Sequence, residues 1–235
     1  MKQKSLKALI ENFGERYPDI LGINLSGGEE DEVFKWFLAS ILFGAPITET
    51  AVVKTFKCFQ RYNLLTPKRI LETGWDELVK ILDEGRYTRY DFKTADKLLE
   101  VMQNLIEKYN GSLNLLHNLA SGTHDLEKRL KDSGKGVGDV TVSIFLRELR
   151  GVWEKADPKP TSLVILAAEK LGIITMESTE DSSGLLKDFW SKNQIAEQCF
   201  INFETALLRL GKDFCRKGKC VACQVRNECL NHKVP

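Results

Sequence analysis

Hydrophobic residues recur along this chain at three- and four-residue intervals almost from end to end. Phe92, Ala95, Leu98, Leu99, Met102, Leu105, Ile106 and Tyr109 fall on one side of a single long helix, which Gly111 is placed to end. Shorter stripes of the same period predict helices over residues 5–13 (through Leu6, Leu9, Ile10 and Phe13), 31–43 and 49–60. Thr66 before Pro67, Ser112, Thr123 and Thr161 are N-cap candidates, because each hydroxyl can accept from an unpaired first-turn amide. Alternating strand patterns and hairpin dipeptides are missing, so the expected fold is all-α with short connections. Two breaks interrupt the pattern: SGGEED near residue 27, and GVWEKADPKPTS with its closely spaced prolines. They divide the chain into a central helical domain, residues 24–151, and a second domain joining residues 1–23 to residues 152–235.

Composition narrows the class. With 235 residues, 43% of them hydrophobic and 29% charged, and with only 6 Pro, the chain has room for one large or two small domains and is no disordered or collagen-like polymer. Its most apolar run, residues 36–43, follows Lys35 and stops at Gly44, well short of the ~20 residues of a membrane helix. Trp36 and Phe37 in that run are expected core. The opening MKQKSLKALIENFGERY alternates apolar with polar residues and lacks a small-residue cleavage site, so no secretory signal is expected. The expected compartment is the cytoplasm, with association to the nucleoid in a prokaryote.

The net charge of +1 points to no partner, but the charges are unevenly spread. Residues 54–69 carry five basic and no acidic side chains, and residues 209–235 carry seven basic against two acidic, while acids gather at 29–32 and 177–181. The distribution fits a face turned toward a polyanion, and equally an ordinary solvated surface.

Cysteine is more telling. Four of six fall in one C-terminal stretch, Cys215, Cys220, Cys223 and Cys229, with four, two and five residues between them. In a chain expected to be cytoplasmic, so dense a cluster reads as metal ligation rather than disulfide bonding. Four thiolates suit a [4Fe-4S] cluster or a tetrahedral zinc, and the spacing leaves both open. Cys58 and Cys199 lie in helical patterns and are expected to be packed thiols.

A second motif lies in the middle of the chain. The helical pattern through Leu126 and Leu130 is broken by Ser133, Gly134, Lys135, Gly136, Val137 and Gly138, then resumes at Val140, Ile144 and Phe145. Such a helix, glycine hairpin and helix brings backbone amides and a positive helix end close to an anion, so a phosphate is the natural guest. The spacing does not match a nucleotide P-loop, and glycines used only for a tight turn would look the same.

Hairpin and cysteine loop together resemble the endonuclease III branch of the helix-hairpin-helix DNA glycosylases, from the apolar helix at 31–43 to Cys229. The motif Gly136-Val137-Gly138 followed by Thr141 resembles the family's hairpin, and the cysteine run resembles its iron–sulfur loop. The resemblance implies a six-helix barrel with the hairpin at its mouth, beside an iron–sulfur cluster domain that includes the N-terminal helix. It implies an enzyme, a monomer, that flips a damaged or mismatched base from double-stranded DNA and cuts its glycosidic bond. DNA would be held by Gly134, Lys135, Gly136, Val137, Gly138 and Thr141, and by Lys217 and Lys219 of the cysteine loop. The family's essential aspartate falls on Asp157, in Ala156-Asp157-Pro158. An ionised carboxylate there stabilises the positive charge that builds on the sugar as the bond breaks, although Asp before Pro is also an ordinary cap.

Departures from the family pattern shape the expectation. Members with lyase activity carry a lysine where this chain has Val140, so a monofunctional glycosylase is expected, with a non-catalytic DNA-binding protein as the alternative. Lys135, Lys155 and Lys159 stand at other positions and are not assigned the nucleophile's role. Asp139 puts an acid beside the phosphate site, Phe43-Gly44-Ala45-Pro46 replaces the usual gap-filling glutamine, and Pro158-Lys159 replaces the Thr-His that commonly follows the aspartate. The short segment beyond Cys229 points toward uracil, mismatched thymine or alkylated bases. Tyr87 is a surface tyrosine able to stack on a base, and His117, His124 and His232 show no ligand spacing.

Overall fold

The computed structural model of the chain describes residues 3–175 and 181–230. Glu177 to Glu180 and His232 lie outside the described residues. Among the described residues thirteen α-helices run α1 Gln3–Phe13, α2 Tyr17–Leu21, α3 Glu30–Phe43, α4 Glu49–Arg61, α5 Pro67–Thr73, α6 Trp75–Glu84, α7 Asp91–Tyr109, α8 Leu113–Leu119, α9 Thr123–Lys131, α10 Asp139–Glu148, α11 Ser162–Lys170, α12 Ser182–Lys192 and α13 Phe200–Leu210. A π-helical turn, Gly211–Cys215, and a 3-10 turn, Arg226–Glu228, complete them, and among the described residues there is no strand. None of these helices is long and apolar enough to cross a membrane. The chain divides into two compact units, Pro18–Pro158 and a second made of Met1–Tyr17 with Lys159–Pro235. The sequence pattern puts the seams at 23/24 and 151/152, six and seven residues from these divisions.

In the Pro18–Pro158 unit, α3 is the central helix. From Val33 to Leu42 only Lys35 escapes full burial, because this helix is apolar on nearly all sides. Trp36 and Phe37 are core, as expected: the Trp36 indole donates to the Phe145 carbonyl of α10 at 3.0 Å, and Phe37 meets the Phe145 ring edge-on at 5.0 Å. Three expected caps form, with Thr66, Ser112 and Thr161 accepting from Arg69, Leu115 and Val164. Thr123 does not cap α9. Gly122 holds that position, and Asp125 accepts from the Ser121 amide instead. The long helix α7 ends at Asn110 in the left-handed conformation, one residue before the expected Gly111. Phe92 is exposed rather than core, since it sits on the first turn of α7 beside Trp75.

The other unit packs Leu6, Leu9 and Ile10 of α1, Val164, Ala167 and Ala168 of α11, Leu186 and Trp190 of α12, and Phe203, Ala206, Leu207 and Leu210 of α13 into one core. Gly211 begins the π-helical turn because only a residue without a side chain fits against the Leu163 carbonyl. That turn delivers Cys215 to the edge of the core.

Candidate functional site

The hairpin spans residues 132–138 between α9 and α10. Its base is held by packing. Ser133 and Gly134 are buried, and the Ser133 hydroxyl donates to the Leu130 carbonyl at 2.6 Å. The Asn104 amide donates to the Ser133 carbonyl at 3.0 Å. A methyl group on Gly134 would lie 2.6 Å from Val101 Cγ2, so α7 and the hairpin meet at backbone distance. Gly136, at φ +87°, makes the left-handed turn, and Gly138 leads into α10 with open space about it. The first amides of α10 have no intrahelical acceptor and lie at its positive end, as an anion site requires.

The structure separates the residues grouped by the motif. Lys135, Gly136 and Gly138 are exposed, whereas Gly134 and Val137 are buried. The Lys135 amide is occupied, donating to Glu100 Oε1 of α7 at 3.0 Å. Thr141 is 2% exposed and pressed against Gly44, where any side chain would overlap its hydroxyl. The stretch that lacks the gap-filling glutamine therefore joins α3 to α10 at close range, and Thr141 serves that packing rather than offering a hydroxyl to a ligand. Val140 is 62% exposed on the first turn of α10. Asp139 is paired with the Lys131 ammonium, whose pKa that hydrogen bond raises, so its charge is partly offset.

Lys97 is a residue the motif did not reveal. It projects from α7 with its Cε 2.8 Å from where a Gly136 side chain would begin. Burial holds its pKa below the usual lysine value. No local pattern would flag it, because α7 and the hairpin meet only through the fold.

Asp157 lies on the loop that follows α10. Its side chain is 45% exposed, and Oδ1 accepts from Arg150 Nε at 3.0 Å. The same guanidinium donates to the Pro158 carbonyl, gripping the loop on both sides of the carboxylate. Arg150 is a second residue missed in the sequence, where nothing distinguishes it from the neighbouring Arg147. Arg147 is instead buried in an ion pair with Glu148, Nη2 to Oε1 2.9 Å. Lys155 also has a place: its ammonium donates to the carbonyls of His117 and Asn118 at 2.9 and 3.3 Å.

Tyr87 is not available to stack on a base. It is fully buried, and its hydroxyl donates to the Leu42 carbonyl at 2.6 Å, filling an acceptor at the end of α3. Burial pushes its pKa up. Cys58 is a packed thiol as expected, but Cys199 is exposed at the start of α13, where its sulfur pairs with Asn202 Oδ1 at 3.0 Å.

The cysteine loop belongs to the other unit. Cys215 and Cys223 pack against its core with Val225, while Cys220 is exposed. Burial pushes the Cys215 thiol up to about 11, and the charges of Cys223, Cys229 and Cys220 add to the shift. Burial raises Cys223 as well, and Cys229 and Cys220 act on it. The four sulfurs are thus near enough to sense one another. Among the described residues, however, no three His, Cys, Asp or Glu side chains reach the spacing of a metal site. By donor type, four thiols within one short loop suit a four-thiolate group. Lys217 is paired with Asp213 at 3.1 Å and still exposed, and Lys219 is exposed.

No protein-family model matches the chain, and no curated protein matches it in sequence. Among solved structures it is similar to the trapped endonuclease III–DNA covalent intermediate in an estranged-adenine complex, with a TM-score of 0.52 and 18% identity over 99% of this chain and 98% of that one. At that identity the likeness speaks for the fold, which spans nearly all of both chains. The chain has the all-α, helix-hairpin-helix fold of endonuclease III.

Proposed function

We propose that the protein is a DNA N-glycosylase without lyase activity, which extrudes a damaged or mismatched base from double-stranded DNA and hydrolyses its glycosidic bond. One observation carries this reading: an exposed carboxylate, Asp157, is held by Arg150 on the loop after the helix-hairpin-helix, in a chain with the endonuclease III fold.

In this reading a DNA phosphate docks on the first amides of α10 and on Gly136, with Lys97 and Lys135 supplying charge. Arg150 fixes the direction of the Asp157 carboxylate, and the exposed part of that side chain faces the deoxyribose. As the C1′–N bond breaks, its electron pair leaves with the base and positive charge builds on the sugar, which the carboxylate stabilises. A water adds its oxygen to C1′ and loses a proton, and the departing base gains one. The products are the free base and an abasic site. Val140 has no amine, so no Schiff base forms and the strand stays whole.

Cys215, Cys220, Cys223 and Cys229 would hold a [4Fe-4S] cluster, or zinc. When bound, the group supplies metal–sulfur bonds that tie the loop together. That keeps Lys217 and Lys219 presented to the DNA backbone. The protein acts as a monomer in the cytoplasm. The pairing of Asp157 with Arg150 favours one alternative, a DNA-binding protein in which a neutralised carboxylate no longer supports chemistry.

A panel of duplexes bearing uracil, mismatched thymine or an alkylated base separates the two. Base release by the wild type, reduced about a hundredfold or more in Asp157→Asn, is the expected result. Release by neither protein on any duplex leaves the binding-only reading. A covalent adduct trapped by borohydride would contradict the absence of lyase chemistry.

A further inference from the structure

The stretch carrying Asp157 is fastened to the C-terminal end of α8. Trp153 lies face to face with His117, ring centres 4.7 Å apart and planes 15° apart. Its indole N–H donates to Asn114 Oδ1 at 2.8 Å, and its ring meets Phe145 edge-on at 5.4 Å. Lys155 donates to the carbonyls of His117 and Asn118 at the negative end of the helix, where the His117 carbonyl also accepts from the Ala120 amide. α8 is fixed at its other end by Glu30, which accepts from the Ser112 hydroxyl and from the Leu113 and Asn114 amides. The Asp157 loop is therefore tied to α8 by the stacked and hydrogen-bonded Trp153 ring and by the Lys155 ammonium, and to the end of α10 by Arg150.

His117 itself is unusual. Its Nε2 is buried and, among the described residues, has no hydrogen-bond partner. A neutral imidazole leaves one acceptor unsatisfied there, whereas an imidazolium would bury an unpaired charged donor, a far larger penalty. Burial, and then the Lys155 ammonium, hold its pKa below the ordinary 6.5, opposed by a hydrogen bond with Asn118 and by Glu154. Those are the charged groups that act on it. The helices α3, α7 and α9, which also pack on α8, contribute none.

We propose that His117 is a positioning residue: uncharged, it stacks under Trp153 and keeps the Asp157 loop seated on α8, and on protonation it releases that loop. This rests on the assignment of Asp157 given above. The open loop binds the proton more readily than the closed one. Closure is therefore fully favoured above pH 6.5 and weakens as pH falls from there toward the depressed value of the seated ring.

Two readouts test it. Release moves the Trp153 indole from its buried stack into water, so emission assigned to Trp153 by its absence in Trp153→Phe should shift to longer wavelength with a midpoint below pH 6.5. Base release at pH 5.5, as a fraction of that at pH 7.5, should fall severalfold along the same midpoint. His117→Phe keeps a stacking ring without a titrating nitrogen and should abolish both dependences, and His117→Gln serves if the phenylalanine does not fold. Lys155→Met should raise the midpoint, because it removes a cation that opposes protonation, and Lys155→Arg should restore it. An acid limb and a Trp153 titration unchanged in both His117 variants would overturn the proposal. If Asp157→Asn still releases bases, the assignment of Asp157 fails, yet the Trp153 titration still decides whether His117 governs the loop.

Discussion

The glycine hairpin and the cysteine loop are both short motifs with tight spacing, but the fold supports them by opposite means. The hairpin is built into packed helices: Ser133, Gly134, Val137 and Thr141 are buried, and Asn104, Glu100 and Val101 of α7 close on it from one side. In the cysteine loop, residues 216–230 bury only Val225 and otherwise run through short turns. The first owes its shape to apolar burial. The second has too little core of its own, so a metal group held by its four thiols, as proposed, would contribute directly to its folding.

Removing the metal ligands is the sharpest way to break that comparison. Cys223→Ser should remove visible absorption if the bound group is iron–sulfur. It should also expose residues 216–230 to protease and hydrogen exchange, while amides around the hairpin keep their protection. Equal loss in both regions would show that the two are not independent. Within the hairpin, Gly134→Ala forces a methyl group onto Val101 and should destabilise the protein by about 1–3 kcal/mol in urea unfolding. Gly138→Ala meets no neighbour and should stay within about 0.5 kcal/mol. The smallest effect concerns DNA. Lys97→Ala in the hairpin region and Lys217→Ala in the cysteine loop should each lower the slope of log affinity against log salt by about 0.9, if each lysine neutralises one phosphate. A slope changed by only one of them would assign the phosphate contacts to that region alone.

The sequence carried what is local. Helical period marked α1, α3, α4 and α7, and hydroxyls at Thr66, Ser112 and Thr161 cap the helices they precede, because those contacts reach only three residues ahead. What failed was long-range. Tyr87 looked like surface because its partner, the Leu42 carbonyl, is 45 residues away in the chain. Thr141 sits in the hairpin motif yet is consumed by Gly44 just past the end of α3, and Cys199 follows a helical stripe yet stands exposed at the start of its helix. Around Asp157 the residue type was legible, but the clamp was not. Arg150, Lys155, Trp153 and His117 form it through side chains that no spacing links, and Lys97 reaches Gly136 from a different helix.

The central claim is that the Asp157 carboxylate stabilises positive charge on an extruded deoxyribose. Comparing the affinity for two duplexes tests it without turnover, one with a cationic pyrrolidine in place of the target sugar and one with a neutral tetrahydrofuran. Wild type should prefer the cationic duplex by tenfold or more, since ~1.4 kcal/mol of transition-state-like attraction gives that ratio, and Asp157→Asn should prefer neither. Equal affinity of the wild type for both would contradict the account.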